Sequence, residues 1–150
     1  MSITPHAGAC SSGSASKVER AEQLRRAGLR PTRQRVAIAA ILLDGRHRHV
    51  TADSLADEIA KAGLQVAGAT IYNCLNQFTD AGLLRRVMVR RDYSVFDTNI
   101  AHHHHFYEAA ADRLIDIPGD ELALAHLPSA PNGHEISRVD VIINIQPKVV

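Results

Sequence analysis

Residues 69–97 read ATIYNCLNQFTDAGLLRRVMVRRDYSVFD, and the spacing of apolar residues changes midway through this stretch. The first half has apolar residues at helical spacing and ends at a glycine. The second half consists of two β-rich runs, residues 84–89 and 93–97, joined by a hairpin at residues 90–92. Helices followed directly by such a hairpin are typical of winged-helix DNA-binding domains. The apolar positions of the helix are Ile71, Leu75 and Phe78, and the closing glycine is Gly82.

Three shorter helices are predicted before this stretch. The first spans about residues 18–27, and the next two begin at the N-capping residues Thr32 and Thr51. Glycines follow all three and suit the ends of helices. Residues 1–16 are rich in Ser and Gly without periodicity, and we expect a disordered tail there. We therefore predict an α+β protein whose winged-helix domain covers residues 17–97.

The remaining residues, 98–150, are predicted to form a small α/β dimerisation domain. The expected elements are strands near 104–108 and 113–117, a short helix over 120–127, and a long strand over 134–146. A unit this small buries little apolar surface by itself. We therefore expect the long apolar strand to be buried in a sheet at a homodimer interface.

The net charge of +1 conceals a strong asymmetry between the two halves of the chain. Residues 1–91 contain 14 basic and 7 acidic residues, whereas residues 92–150 contain 3 basic and 9 acidic residues. Such a basic half favours a polyanionic partner. Double-stranded DNA is the partner that this charge and the predicted winged helix indicate together.

The predicted helix near residue 70 has a polar face opposite its apolar stripe. Hydroxyl and amide side chains on that face suit base edges and phosphates, and Asn can pair bidentately with adenine. Arginines before the helix and in the hairpin would neutralise phosphates. An ordinary solvated helix face would explain the amides but not the flanking basic clusters. The predicted DNA-binding residues are Arg30, Arg33, Thr70, Tyr72, Asn73 and Asn76.

Four consecutive histidines, residues 102–105, suggest a ligand site. In an extended segment their side chains alternate, so His103 and His105 share one face, and His102 and His104 share the other. Imidazole is the commonest metal ligand in proteins and a frequent axial ligand of haem iron. A solvated polar run at a strand edge is the alternative interpretation.

Carboxylates near this run extend the candidate set. Asp97 ends the predicted hairpin, Asp116 lies on the strand next to His103 and His105, and His49 comes from the loop between two helices. Nitrogen and carboxylate ligands without sulfur suit Fe(II), Mn(II) or Zn(II). The alternative for each residue taken singly is an ordinary solvated polar side chain. The predicted metal ligands are His49, Asp97, His103, His105 and Asp116.

Composition narrows the class of protein further. No apolar run approaches the length of about 20 residues that crosses a bilayer, and no secretory signal pattern opens the chain, so we expect a cytoplasmic protein. The two cysteines, Cys10 and Cys74, are not a C-x-x-C pair, which argues against a structural four-cysteine zinc site. We find no constellation of nucleophile and general base, and therefore do not expect an enzyme.

Several motifs together resemble the ferric uptake regulator family, and the resemblance covers about residues 18–146. They are Gly28-Leu-Arg-Pro-Thr-Arg-Gln-Arg, His49-Val-Thr-Ala-Asp, and the segment from Ala69 to Leu83 with its Thr-Ile-Tyr. Asn73 after Tyr72, and Phe96-Asp-Thr-Asn-Ile before the histidines, are similar to the iron response regulator branch.

The resemblance implies a dimeric winged-helix transcription factor, mainly a repressor. Arg30 would match the family's minor-groove basic residue, and Tyr72 would lie on its recognition helix. The branch acts on genes of haem synthesis and iron use when iron is scarce, and haem at the histidine-rich motif, here His102, His103, His104 and His105, inactivates it. The alternative is a regulator whose DNA binding is promoted directly by Zn(II), Mn(II) or Fe(II).

Three differences from the family pattern limit what can be transferred. The C-x-x-C pairs that hold structural zinc in many members are absent. A second family metal site would need a carboxylate near Ala123 and a histidine near Val139 beside His102 and His104, so we expect that site to be lost. Cys10 is followed by Ser11 instead of proline, which removes the Cys-Pro haem motif found in some branch members.

Overall fold

The computed structural model describes residues 16–149, and these residues confirm the predicted α+β class. Four helices come first, interrupted by one very short strand, and five strands follow. The helices are α1 (Lys17–Arg26), α2 (Arg33–Leu42), α3 (Ala52–Lys61) and α4 (Gly68–Asp80). The strands are β1 (His49–Val50), β2 (Arg85–Arg90), β3 (Tyr93–Asp97), β4 (His103–Glu108), β5 (Arg113–Pro118) and β6 (Ile142–Ile145).

Polar side chains cap the first two helices. The hydroxyl of Thr32 accepts a hydrogen bond from the backbone N–H of Arg35, as expected of an N-cap. Ser16 and Glu19 form a reciprocal capping box at α1. The tail prediction therefore extended one residue too far, because Ser16 belongs to the helix start. The rest of that predicted tail, with Cys10, lies outside the described residues.

The helices form one compact unit, residues 16–46 and 52–77 of the described chain. In α4 the predicted apolar positions Ile71 and Leu75 are buried, and Cys74 joins them with 4% of its surface exposed. Burial raises the pKa of the Cys74 thiol, as expected of a small side chain packed in a core. The other buried aliphatic residues of this unit include Leu24, Ile38, Leu42, Leu55 and Ile59.

The strands form a second compact unit, residues 47–51 and 78–149 of the described chain. It contains two three-stranded sheets, with strand orders β1-β3-β2 and β5-β4-β6. The hairpin and the later strands share a small core of Val87, Val95, Tyr107 and Leu114. Tyr93 and Tyr107 also donate hydrogen bonds to the carboxylate of Asp112. The hairpin therefore packs with the C-terminal strands within this unit.

His49 lies in a strand and not in the predicted loop. Residues 49–50 pair antiparallel with β3, so the predicted two-stranded hairpin is part of a three-stranded sheet. Next to this pair, the backbone N–H of Thr98 donates to the carbonyl oxygen of Arg48, and the Thr98 hydroxyl accepts from the Arg48 N–H. Two residues are too few to produce an alternating pattern, so the sequence carried no signal for this strand.

Two predictions for the C-terminal part were wrong. No helix or strand is present between residues 119 and 141, so the helix predicted over 120–127 is absent. Eight residues form a stable helix only when they pack against something, and most of these side chains are exposed. The strand predicted over 134–146 is limited to Ile142–Ile145, where it pairs parallel with β4. The preceding residues have no neighbouring strand in the described chain.

None of the helices in the described part of the chain is both long and apolar enough to cross a membrane.

Candidate metal centre and nucleic-acid interface

Two pairs of strands each place a histidine opposite an aspartate. His49 of β1 is the pairing partner of Asp97 of β3, and His105 of β4 is the partner of Asp116 of β5. Side chains opposite each other on neighbouring antiparallel strands lie on the same face of the sheet. His103 lies two residues before His105 and therefore points to the same side. All five predicted metal ligands meet within the strand unit.

The contact distances show how tightly these side chains converge. Asp97 Oδ2 lies 2.7 Å from His103 Nε2, 3.0 Å from His105 Nε2 and 3.4 Å from His49 Nε2. Asp116 Oδ1 lies 2.8 Å from His49 Nε2, 3.4 Å from His105 Nε2 and 3.6 Å from His103 Nε2. Three nitrogens and two oxygens thus surround one point, and all lie within 4.8 Å of one another.

The spacing of these atoms is close to that of a metal coordination shell. Ligands about 2.1 Å from a common centre are about 3.0 Å apart at right angles and about 3.6 Å apart at 120°. The contacts of the two inward carboxylate oxygens with the imidazole nitrogens run from 2.7 to 3.6 Å. A divalent cation would therefore need only small adjustments of these side chains.

The hydrogen bonds of His103 are also compatible with a cation. Its Nδ1 lies 2.6 Å from the carbonyl oxygen of Ala101. A carbonyl only accepts, so Nδ1 donates to it, and Nε2 is then directed at Asp97 either as a lone pair or with a second hydrogen. A lone pair facing the carboxylate oxygen at 2.7 Å would be favourable only with a cation between the two atoms, whereas a hydrogen on Nε2 would satisfy the contact without one.

Two further atoms of the cluster lack hydrogen bonds. His49 Nε2 and Asp116 Oδ1 are both buried. They lie 2.8 Å apart, but this contact lacks hydrogen-bond geometry, and neither atom has another hydrogen-bond partner among residues 16–149. Buried polar atoms without partners are uncommon and call for an explanation, such as a bound ion. The donor set therefore fits a divalent metal ion, with these two atoms as ligands.

The charges within the cluster shift two pKa values in opposite directions. Burial disfavours the protonated form of His49, but the neighbouring carboxylates of Asp97 and Asp116 outweigh burial and raise its pKa. Burial likewise disfavours the charged form of Asp97, whose side chain is fully buried. Contacts with His105 and His49 outweigh that cost and hold the pKa of Asp97 far below its usual range. The centre is thus arranged to keep a buried negative charge.

Asn99 is a residue of this site that the sequence analysis did not predict. Its backbone N–H donates to Asp97 Oδ1 at 2.8 Å, and its side-chain amide reaches Asp116 Oδ2 at 3.4 Å. These contacts hold the outer oxygens of both carboxylates and leave the inner oxygens for the cluster. Such outer contacts orient the ligands of metal sites. An Asx-turn signal in Asp97-Thr-Asn99 was the one clue available.

The opposite face of β4 is different. The ring of His104 is buried and contacts the ring of His102 edge-on, with centroids 4.9 Å apart. His104 Nδ1 accepts a hydrogen bond from the backbone N–H of Val141. Burial, and next the neighbouring His102, lower the pKa of His104. His102 is exposed. Neither ring points into the cluster around Asp97, so the four histidines divide between two environments.

The predicted DNA-binding residues lie in the helical unit. Tyr72 and Asn73 of α4 are exposed, with half of the tyrosine accessible, while Thr70 and Asn76 are half-buried. Arg30 and Arg33, just before and at the start of α2, are also exposed. The buried stripe of α4 thus leaves a polar face on which Tyr72 and Asn73 are exposed.

Arg35 has a structural role in this unit. Its guanidinium donates two hydrogen bonds to Gln77 Oε1, at 2.8 and 3.1 Å, and one to the carbonyl oxygen of Arg30 at 2.9 Å. These bonds tie the N-terminus of α2 to the C-terminal half of α4. Arg35 and Gln77 therefore position the helix whose exposed face carries Tyr72 and Asn73.

Helices with an exposed polar face, a three-stranded sheet containing a hairpin, and a cluster of imidazole nitrogens and carboxylate oxygens that could hold a metal ion are features of metal-responsive winged-helix regulators. The profile described as "Ferric uptake regulator family" matches residues 26–143. The ferric uptake regulation protein of Shigella flexneri is 34% identical over 100 residues, which cover 66% of this chain and 68% of that protein. The Escherichia coli K12 protein of that name is 33% identical with the same coverage.

Solved structures agree with this assignment. The Pseudomonas aeruginosa ferric uptake regulator with manganese aligns with a TM-score of 0.67 at 25% identity, covering 87% of this chain and 98% of that one. The Vibrio cholerae ferric uptake regulator shares the fold, with a TM-score of 0.65, 21% identity, and coverage of 85% of this chain and 98% of that one. The chain belongs to the ferric uptake regulator family, whose members are metal-responsive, DNA-binding transcription regulators and not enzymes.

Proposed function

We propose that this protein is a dimeric transcriptional regulator in which a divalent cation at the Asp97 cluster promotes binding to double-stranded promoter DNA. The observation that carries the proposal is the convergence of three imidazole nitrogens and two carboxylate oxygens around one point. The cation would be held by His49, Asp97, His103, His105 and Asp116.

Manganese, iron and zinc are the candidate ions. The cluster contains no sulfur, and nitrogen with carboxylate oxygen suits all three as divalent ions. The similar Pseudomonas aeruginosa protein was solved with manganese, which supports Mn(II) as the first ion to test. The cation would bring together groups of two strand pairs, and the strand unit that holds them also contains the hairpin.

DNA contact is assigned to the polar face of α4 and the arginines near it. Tyr72 and Asn73 would reach base edges, with Thr70 and Asn76 beside them, and Arg30 and Arg33 would neutralise phosphates. Exposed Arg90 and Arg91 at the hairpin turn add positive charge. We therefore expect the protein to bind DNA in the cytoplasm.

A homodimer is supported by apolar side chains left exposed in the C-terminal part. Leu124, Leu127 and Ile136 are each exposed by nearly half. Strand β6 lies at the edge of its sheet, where its outer backbone groups can pair with another strand. A second copy of the chain would cover both features.

A mobility-shift titration tests the metal-promoted mechanism. Chelator-treated protein is mixed with a promoter fragment, and Mn(II), Fe(II) under anaerobic conditions, or Zn(II) is added. We expect each effective ion to strengthen specific binding. His105→Gln should abolish the response to metal, whereas Tyr72→Ala should weaken DNA binding and leave metal affinity unchanged. Equal DNA affinity with and without every ion would contradict the proposal.

Haem sensing is the second candidate, and the exposed ring of His102 supports it. His103, His104 and His105 are buried, so haem iron would first meet His102. In this mechanism the protein represses genes of haem and iron metabolism when iron is low, and haem releases it from DNA. Haemin should then produce a Soret shift and DNA release, both lost in His102→Ala. Haem would weaken DNA binding, whereas a divalent ion would strengthen it. One titration series with both ligands therefore distinguishes the two mechanisms.

A further inference from the structure

Arg85 is a buried arginine that lies directly behind the metal centre. Only 8% of its surface is exposed, although it is charged and on a strand of the hairpin. Its Nη1 donates to the carbonyl oxygen of Ala101 at 2.8 Å and lies 3.1 Å from Nδ1 of His103. Its Nη2 donates to Asp140 Oδ1 at 2.6 Å. Buried guanidinium groups occur where their charge and planar fork are both used.

These contacts bear on the orientation of His103. The carbonyl oxygen of Ala101 receives the Nδ1–H of His103 at 2.6 Å and the Arg85 N–H at 2.8 Å. A carbonyl oxygen has two lone pairs, so both bonds can form together. The guanidinium therefore fixes the acceptor that holds the ring of His103, and that ring directs Nε2 at the cluster. The contact acts on the ligand from the side opposite the cation.

We propose that Arg85 is a positioning residue of the metal centre, which holds His103 in its ligating orientation through the shared carbonyl of Ala101. This inference rests on the proposed metal site. Residues that orient a metal ligand from outside the coordination shell typically contribute about 10–100-fold to metal affinity.

Asp140 anchors the other end of the guanidinium. It lies two residues before β6 and also accepts a hydrogen bond from Arg138 at 2.7 Å. Since Asp140 is 40% exposed, its pair with Arg85 is partly screened by solvent. Removing Asp140 should therefore weaken the orientation of Arg85 without eliminating its contact with Ala101. The effect of Asp140→Asn should be smaller than that of Arg85→Met.

The exposed ion pair of Arg113 and Glu108 offers matched controls. The two side chains are 2.8 Å apart on β5 and β4, and neither belongs to the metal cluster. Arg113→Met makes the same charge change as Arg85→Met, and Glu108→Gln corresponds to Asp140→Asn. Arg85→Lys keeps the charge but loses the planar fork.

The experiment is a Co(II) titration of the full-length, metal-free protein and these variants. Visible d–d absorption reports both the affinity and the coordination geometry of the bound ion. We expect Arg85→Met to weaken Co(II) affinity by about 10–100-fold and to shift the d–d bands, with Arg85→Lys recovering part of the affinity. The two control variants should match the wild type in affinity and spectrum.

Several outcomes would overturn the positioning role. Wild-type affinity and d–d bands in Arg85→Met would do so, as would an equal loss in Arg113→Met. If circular dichroism shows that Arg85→Met does not fold, the Co(II) affinity of Asp140→Asn is measured instead. Wild-type affinity in Asp140→Asn would also overturn the positioning role. If the wild type itself does not bind Co(II), the proposed metal site fails and takes this inference with it, a result distinct from loss in the variant alone.

Discussion

The two faces of strand β4 carry the same residue types but have different surroundings. His103 and His105 face two carboxylates, and the outer nitrogen of His103, Nδ1, lies 3.1 Å from Arg85 Nη1. His102 and His104 face each other and a backbone N–H, without a carboxylate in hydrogen-bond contact among the described residues. The partners across the sheet, and not the histidines themselves, decide which face can hold a cation.

The largest effect should come from Asp97→Asn. This side chain is fully buried and contacts three imidazoles, so its charge is the main attraction for a cation at the centre. We expect metal affinity to fall by more than about 100-fold, beyond the range typical of outer contacts. Competition with a fluorescent chelator measures the change. The control is Asp92→Asn, an exposed aspartate in the hairpin turn.

If Asp97→Asn kept its metal affinity while a variant of the other face lost it, the assignment of the two faces would be reversed. Histidine variants on both faces of β4 test the same assignment independently of Asp97.

The second prediction compares His105→Gln with His102→Gln. His105 is buried within the cluster, whereas His102 is exposed and outside it. We expect His105→Gln to reduce metal affinity by at least about 10-fold. This is the smallest loss typical of mutating a residue that only orients a metal ligand. His102→Gln should remain near the wild type. Isothermal titration with Mn(II) checks both, and similar losses in the two variants would show that the faces are not distinct.

The third prediction concerns pH. A metal needs the lone pair of His49, and the carboxylates raise the pKa of His49 despite its burial. Protons should therefore begin to compete with the metal above the ordinary histidine pKa of about 6.5, and affinity should fall as pH falls. In the metal-free protein the same pairing stabilises the fold fully below about pH 6.5, and this contribution is lost as pH rises through the raised pKa.

Proton NMR of the His49 ring in metal-free protein measures this titration. In Asp97→Asn the pKa of His49 should decrease, because one of the two carboxylates that raise it is gone. An unchanged midpoint in that variant would mean that Asp97 does not act on His49 in solution.

The smallest effect on metal affinity should come from Gly119→Ala. A methyl group on Gly119 would lie 2.7 Å from His102 Cδ2 and 2.8 Å from the His102 carbonyl oxygen, so His102 must move. Overpacking of this kind destabilises by about 1–3 kcal/mol. Thermal unfolding should show that loss, while Co(II) affinity stays within about 3-fold of the wild type, well below the 10–100-fold expected for a group that orients a ligand. A complete loss of metal binding would mean that the two faces are coupled.

Much of this arrangement could be predicted from the sequence. Alternation along a strand separated His103 and His105 from their neighbours, and the predicted adjacent strand put Asp116 beside them. His49 was expected in a loop, and its strand pairing with Asp97 had no signal in the sequence. The helices were predicted within a residue or two, because Thr32 and the glycines mark their ends. Local signals of this kind operate over a few residues and are readable in one chain.

Long-range contacts could not be predicted. Arg85 and Asp140 are far apart in sequence, and nothing in either segment indicates that they pair. In the sequence Arg85 looked like one of several hairpin arginines suited to phosphates, yet it is buried. The helix predicted over 120–127 failed for a related reason, since its stability depends on packing that the described chain does not supply. The burial of Arg85 and the absence of a helix over 120–127 both depend on tertiary contacts.

Anomalous diffraction from crystals loaded with one equivalent of Mn(II) per chain would locate the bound ion. We expect one strong peak about 2.0–2.3 Å from each of five ligand atoms, the distance expected for nitrogen and oxygen ligands. These atoms are His49 Nε2, Asp97 Oδ2, His103 Nε2, His105 Nε2 and Asp116 Oδ1. A principal peak between His102 and His104, or no ordered ion at the Asp97 cluster, would contradict this expectation.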